Sequence, residues 1–156
     1  MAVNRGKAFE LKFKEDFLDS IPCSTIDRLY DSMSGYKAVS NISDFIAYKY
    51  PIIFYLEVKS HSGASIPFTE IPQYEKLKDK IGIHGVRTGV ILWLTDKDRI
   101  FYIPVATIKQ LKSEGKKSVG IKAFETGYNI YEIPVVKKRV FLKADYSILM
   151  TLKDGE

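Results

Sequence analysis

The sequence predicts an α/β domain, a mixed β-sheet flanked by helices. Three observations carry that reading. The segments run helix, two or three strands, helix, strand, strand, helix, tail. Apolar runs joined by short turns, at Lys49-Tyr50-Pro51 and Asp96-Lys97-Asp98, predict antiparallel pairs. A strand–helix–strand unit from Ile52 to Leu94 predicts one parallel pair, because parallel strands need a long crossover.

The first element is an amphipathic helix from Arg5 to Ile21. Phe9, Phe13, Phe17 and Ile21 recur every four residues with Leu18 alongside, while Lys7, Lys12, Lys14, Glu15 and Asp16 take the wetter faces. Pro22 stops it, since proline has no N–H to continue the ladder. Cys23 to Asn41 reads as a turn-rich crossing with a short strand at Tyr36–Val39. Ser43 to Tyr48 and Ile52 to Lys59 read as strands, the second rich in β-branched and aromatic residues. Ser60 to Ser65 is a polar loop, and Thr69 to Ile81 reads as a helix with Thr69 as N-cap and Pro72 in its first turn. Gly89 to Leu94 is apolar throughout, as a central strand buried on both faces would be. Arg99–Ile103 is its returning strand, Val105–Leu111 a helix, and Ile130–Ile133 a short strand. The tail from Val140 to Leu152 is apolar enough to pack on the body.

A chain of 156 residues is expected to form one domain over 1–156 with its own core, burying roughly 70% of its unfolded surface. The 46% hydrophobic and 28% charged content excludes whole-chain disorder. A formal net charge of +5 favours polyanionic partners. The single cysteine, Cys23, excludes an internal disulfide and a multi-cysteine zinc site, and is expected as a minor core residue. Cysteine usage fits a reducing compartment, so the expected location is cytoplasmic. Met1–Lys7 has no apolar leader core, and the longest apolar run is far too short to cross a bilayer, so no membrane partner is expected.

The chemistry centres on Asp44 and the triplet Glu57-Val58-Lys59. In a strand, Glu57 and Lys59 project to one side and Val58 turns into the core. Burying two charges on an apolar strand costs several kcal/mol each unless a partner or ligand meets them. If the Asp44 strand pairs with the second across Tyr50-Pro51, two carboxylates converge. A hard divalent cation relieves their repulsion, and Mg²⁺ takes few carboxylates with several waters. The residues therefore point to phosphodiester hydrolysis. Asp44 and Glu57 would hold Mg²⁺, with Mn²⁺ as substitute, and Lys59 would stabilise developing charge or orient the attacking water. Glu10, on the first helix, would complete the metal shell or act through a bound water.

This Asp-x12-Glu-x-Lys arrangement resembles the PD-(D/E)xK nuclease superfamily, whose fold is the restriction-endonuclease-like mixed sheet. Further features resemble the RecU-type Holliday junction resolvases within it: Asn4-Arg5-Gly6 followed by Glu10, Pro67-Phe68-Thr69-Glu70-Ile71-Pro72-Gln73, the stretch from Val90 to Ile103, and Lys138-Arg139-Val140 to Asp145-Tyr146. The resemblance implies a Mg²⁺-dependent, structure-selective endonuclease of DNA recombination and repair. It would act as a homodimer that cuts branched double-stranded DNA at four-way junctions. By residue it implies Asp44, Glu57 and the Val58 carbonyl on metal, Lys59 on the transition state, and Glu10 and Gln73 in support. It puts Arg5 near phosphate, with Lys7, Ser43 and His61 assigned to DNA contact. Ser43 stands where the motif has proline, and Ile42 where many relatives have threonine. Cellular relatives carry a longer basic stalk before the aspartate; Cys23–Asn41 is short, with only Arg28 and Lys37 as bases, as would suit a compact phage version.

Plainer readings stand beside these. Glu57 and Lys59 would also suit an edge-strand ion pair, Asp44 a turn, and Glu10 an i,i+4 pair with Lys14. Gln73 and His61 would also suit a solvated surface. The function-level alternatives are another PD-(D/E)xK endonuclease, of restriction or repair type, and a non-catalytic DNA-binding module.

Overall fold

The computed structural model describes residues 4–30 and 41–152. The strand expected at Tyr36–Val39 lies outside them. In chain order the strands are β1 (Thr25–Arg28), β2 (Phe45–Lys49), β3 (Ile52–His61), β4 (Ser65–Pro67), β5 (Val86–Leu94), β6 (Arg99–Pro104), β7 (Ser118–Gly120), β8 (Tyr131–Ile133), β9 (Val135–Lys137) and β10 (Leu142–Ala144). The helices are α1 (Arg5–Ser20), α2 (Tyr74–Leu77), α3 (Val105–Ser113) and α4 (Ile121–Glu125). A central sheet runs β1-β2-β3-β5-β6-β8, and β9–β10 and β4–β7 form two small ribbons. Within the central sheet only β3 and β5 pair in parallel. The mixed sheet with flanking helices is the expected architecture.

Each face of the sheet carries a core. On one, Phe9, Phe13 and Phe17 of α1 pack on Phe45, Phe54, Leu56 and Val58, closed off by Tyr146 and Leu149 from the tail. Ring contacts at 5.2 Å (Phe13–Phe45) and 4.9 Å (Phe13–Tyr146) tie this layer together. On the other face, Ile66, Leu77, Ile108 and Leu111 cover Val90, Leu92 and Ile103. Each fully buried Phe or Leu contributes about 1.5–3 kcal/mol. The period of two on β3 sends Phe54, Leu56 and Val58 to the α1 side and leaves Tyr55, Glu57 and Lys59 on the other. Asn4 caps α1 by accepting from the Lys7 N–H at 3.3 Å. Gly89, in the middle of β5, lies under the Tyr102 ring, where a side chain would collide.

Four expectations need correction. The segment Thr69–Ile81 is not one helix, and Thr69 is not its cap. A 3₁₀ turn (Phe68–Glu70), α2 and a second 3₁₀ turn (Lys78–Lys80) replace it. The cause is Pro72, which keeps Ile71 out of helical backbone (φ −121°, ψ 65°). Asp16 is not on a wet face but is 1% exposed, because the tail folds over it; Leu18, expected on the apolar face, is 41% exposed. Cys23 is exposed, in a left-handed turn (φ 58°), and not in the core. The Cys23–Asn41 crossing opens with β1, a strand too short for four residues to announce by alternation.

Candidate active site

Asp44 precedes β2, and Glu57 lies on β3. The antiparallel register pairs Phe45 with Leu56, so one step further sets Asp44 opposite Glu57. The turn at Tyr50-Pro51 fixes that register. Asp44 is held by its surroundings: Oδ2 accepts from the Val58 N–H at 2.9 Å, and the Arg28 guanidinium stands 3.3 Å from Oδ1. Arg28, on β1, also donates from Nε to Glu10 Oε2 at 3.1 Å and from Nη1 to the Asp44 carbonyl at 3.0 Å. It thus ties α1 to the start of β2. Ser43 is buried and donates to the Phe45 carbonyl at 2.9 Å, which stiffens the chain entering β2.

Glu57 is 1% exposed. Lys59 Nζ stands 3.2 Å from its Oε1, yet neither carboxylate oxygen accepts a hydrogen bond. Burial first, and the Asp44 charge second, push the Glu57 carboxyl up to about 8; Lys59 offsets only part of this. Glu10 is also raised, by burial and then by Asp44, with Arg28 and Lys59 opposing. Four of the expected catalytic residues, Glu10, Asp44, Glu57 and Lys59, therefore form one electrostatically coupled group, with Arg28 as a fifth member.

The group fits a divalent cation. A buried carboxylate facing a second carboxylate, with Lys59 as its one cation, is left short of partners in a place where that costs most. Among the described residues no set of three or more His, Cys, Asp and Glu is arranged as a protein-only cage. Mg²⁺ suits such a pair, because it is commonly bound through one or two carboxylates plus waters and substrate phosphate.

The other expected residues are placed less centrally. Gln73 caps α2, which packs on the Lys59 side of the sheet, and its Oε1 is buried without a partner. Arg5 and Lys7 lie exposed in the first turn of α1. The His61 ring is paired with Glu70, Nδ1 to Oε2 at 3.1 Å. Ser43 is buried, its hydroxyl donating to the Phe45 carbonyl, so its side chain holds the chain ahead of β2. Glu10 pairs with Arg28 and not with Lys14. The residue missed as a site member is Arg28; its partners come from two other elements, and only the unpredicted β1 brings it to them.

Fold and site together define the class: a mixed α/β domain with two opposed carboxylates and a lysine at one end of a central strand. Among solved structures, the chain is similar to that of Hjc, a Holliday junction resolvase from the archaeal hyperthermophile Archaeoglobus fulgidus. The TM-score is 0.53 at 17% identity, covering 79% of this chain and 94% of that one. The chain thus has a resolvase-like, nuclease-type fold. No protein-family profile and no curated protein sequence matches it. Among the described residues no helix is long and apolar enough to cross a membrane.

Proposed function

We propose that the chain is a Mg²⁺-dependent endonuclease that resolves four-way DNA junctions, a compact enzyme of the RecU type. The observation that carries this is Glu57, a buried carboxylate with no hydrogen bond, opposite Asp44 and 3.2 Å from Lys59, on a resolvase-like fold. Asp44 and Glu57, with the Val58 carbonyl beside them, would hold the ion. When bound, Mg²⁺ supplies positive charge that stabilises the extra negative charge of the attacked phosphate. Lys59 adds a second positive group on the same face of β3, where that charge develops. Arg28 keeps Asp44 and Glu10 oriented. The net charge of +5 supports binding through phosphates and shape, with little base reading. Cutting opposing strands calls for two sites related by a two-fold axis, hence a homodimer. An enzyme of recombination and repair would work where the DNA is, in the cytoplasm of a cell without a nucleus.

The test incubates the protein with a labelled mobile junction and with linear duplex of equal length, in Mg²⁺, Mn²⁺ or EDTA, and maps nicks on all four strands. Paired nicks on opposing strands, with either metal and not in EDTA, are expected. Equal cutting of linear duplex would instead identify a restriction- or repair-type nuclease. Junction binding without cutting under any metal would leave a DNA-binding module.

A further inference from the structure

A cavity of about 420 Å³ lies on the α1 side of the sheet, between α1 and the β9–β10 ribbon. That size is within the range of about 300–1,000 Å³ typical of ligand pockets. Its walls are aromatic: Trp93, against Phe9 at 5.3 Å, together with Phe141 and Tyr146. Two polar atoms on these walls, Trp93 Nε1 and the Tyr146 hydroxyl, are buried with no hydrogen-bond partner, and Tyr146 is 0% exposed. Both atoms are sealed behind the wall, so what the cavity offers a ligand is the aromatic surface of Trp93 and Phe141.

The rim is cationic. Asp16 and Asp98, the two acids that line the cavity, are already neutralised, Asp16 by Lys12 and Lys143 and Asp98 by Lys137. Arg5, Lys138 and Arg139 remain at the rim with no anionic partner among the described residues. Aromatic walls and an unneutralised cationic rim together match one chemistry, a flat heteroaromatic ring joined to a phosphate.

We propose that this cavity is a nucleotide subsite, with a base against Trp93 and its phosphate on the Arg5–Lys138–Arg139 rim. The β3–β5 register places Ser60, the residue after Lys59, beside Trp93. The subsite is therefore at the same end of the sheet as the carboxylates, on its other face. A strand engaged at the carboxylates would need to turn only around that end to insert one unstacked nucleotide. This strand source rests on the function proposed above; a free mononucleotide is the other source of the same chemistry.

Trp93 is the sole tryptophan in the chain, so its fluorescence reports the cavity directly. The titrants are dTMP, a short oligodeoxythymidylate and inorganic phosphate, each in EDTA so that nothing is cut. Saturable quenching by the oligonucleotide, by dTMP or by both is expected, and none by phosphate. Quenching by the oligonucleotide alone assigns the site to a strand, and equal quenching by dTMP to free nucleotide. The surface double variant Lys138→Ala/Arg139→Ala should raise the half-saturation concentration about tenfold, the scale of one charge-assisted contact. No saturable quenching by either nucleotide ligand, equal quenching by phosphate, or an unchanged half-saturation in the double variant would overturn the proposal. Glu57→Gln should quench as wild type does. Intact quenching in a wild-type protein that never cuts junctions would refute the nuclease reading and leave the subsite standing.

Discussion

Asp16 and Glu57 are equally hidden from water, each 1% exposed, and they are treated in opposite ways. Asp16 receives Lys12 Nζ at 2.8 Å, Lys143 Nζ at 3.0 Å and the Ala144 N–H at 3.0 Å. It is a lock that fastens the tail to α1. Glu57 has one cation at 3.2 Å, no hydrogen bond, and a second carboxylate facing it. A fold that completes the shell of one buried acid and leaves the other open is holding the second for something that is not part of the chain.

Neutralising each acid in turn breaks the comparison most sharply. Glu57→Gln should lower junction cutting by more than about 100-fold, the scale already seen for groups that merely support metal ligands. It should also raise the melting temperature at pH 8, because an unfavourable buried charge is removed. Asp16→Asn should do the reverse. Disrupting a buried, paired charge costs about 3–5 kcal/mol, and about 2–3 kcal/mol is expected here because both lysines reach water. At about 2–4 °C per kcal/mol, that is a fall of roughly 5–10 °C, with cutting per folded molecule preserved. Thermal melts and single-turnover cleavage on both variants check this. Loss of cutting in Asp16→Asn at full folding would erase the distinction.

Adding Mg²⁺ is the next most incisive measurement. An ion bound only by the folded state stabilises by about 2.7 kcal/mol at a hundred times its dissociation constant. Wild type at pH 8 should therefore melt several degrees higher in Mg²⁺, Asp16→Asn should show the same increment, and Glu57→Gln should show almost none. An equal rise in all three would place the ion elsewhere.

A smaller effect follows from pH. The Glu57 carboxyl is near 8 when folded and near 4.5 when exposed. Between those values the unfolded chain binds fewer protons than the native one, so stability falls as pH rises through the window. Below about pH 4.5 the penalty is absent, and above 8 it is complete. Urea titrations across pH 5–8 should show this decline in wild type and a flatter profile in Glu57→Gln. Mg²⁺ competes with the same proton, so its affinity should climb with pH over the same range.

Much of this contrast was legible in the residues, for physical reasons that differ by element. The period-four phenylalanines of α1 and the β-branched run of β3 each repeat a single rule often enough to be read locally. The opposition of Asp44 and Glu57 was readable because one short turn determines the register of both strands. Pro72 was readable as a residue, but its consequence was not: placing it in a first turn or before a break depends on how Ile71 packs. Asp16 looked solvated because the group that buries it arrives from Ala144, 128 positions later. Arg28 escaped for the same reason, its partners being on α1 and ahead of β2.

Ser43 provides the finest cut, since sequence and structure assign it different work. A DNA contact would make Ser43→Ala weaken junction binding with little change in stability. The structure has the hydroxyl buried and donating to the Phe45 carbonyl at 2.9 Å, one residue from Asp44. Losing that bond costs about 1 kcal/mol. The expected result is a melting temperature lower by about 2–4 °C, with junction affinity and its salt dependence unchanged. Because the chain entering β2 carries Asp44 opposite Glu57, a modest loss of Mg²⁺ affinity should accompany it, smaller than in any variant of the carboxylates themselves. A drop in junction affinity at constant stability would return Ser43 to the DNA surface.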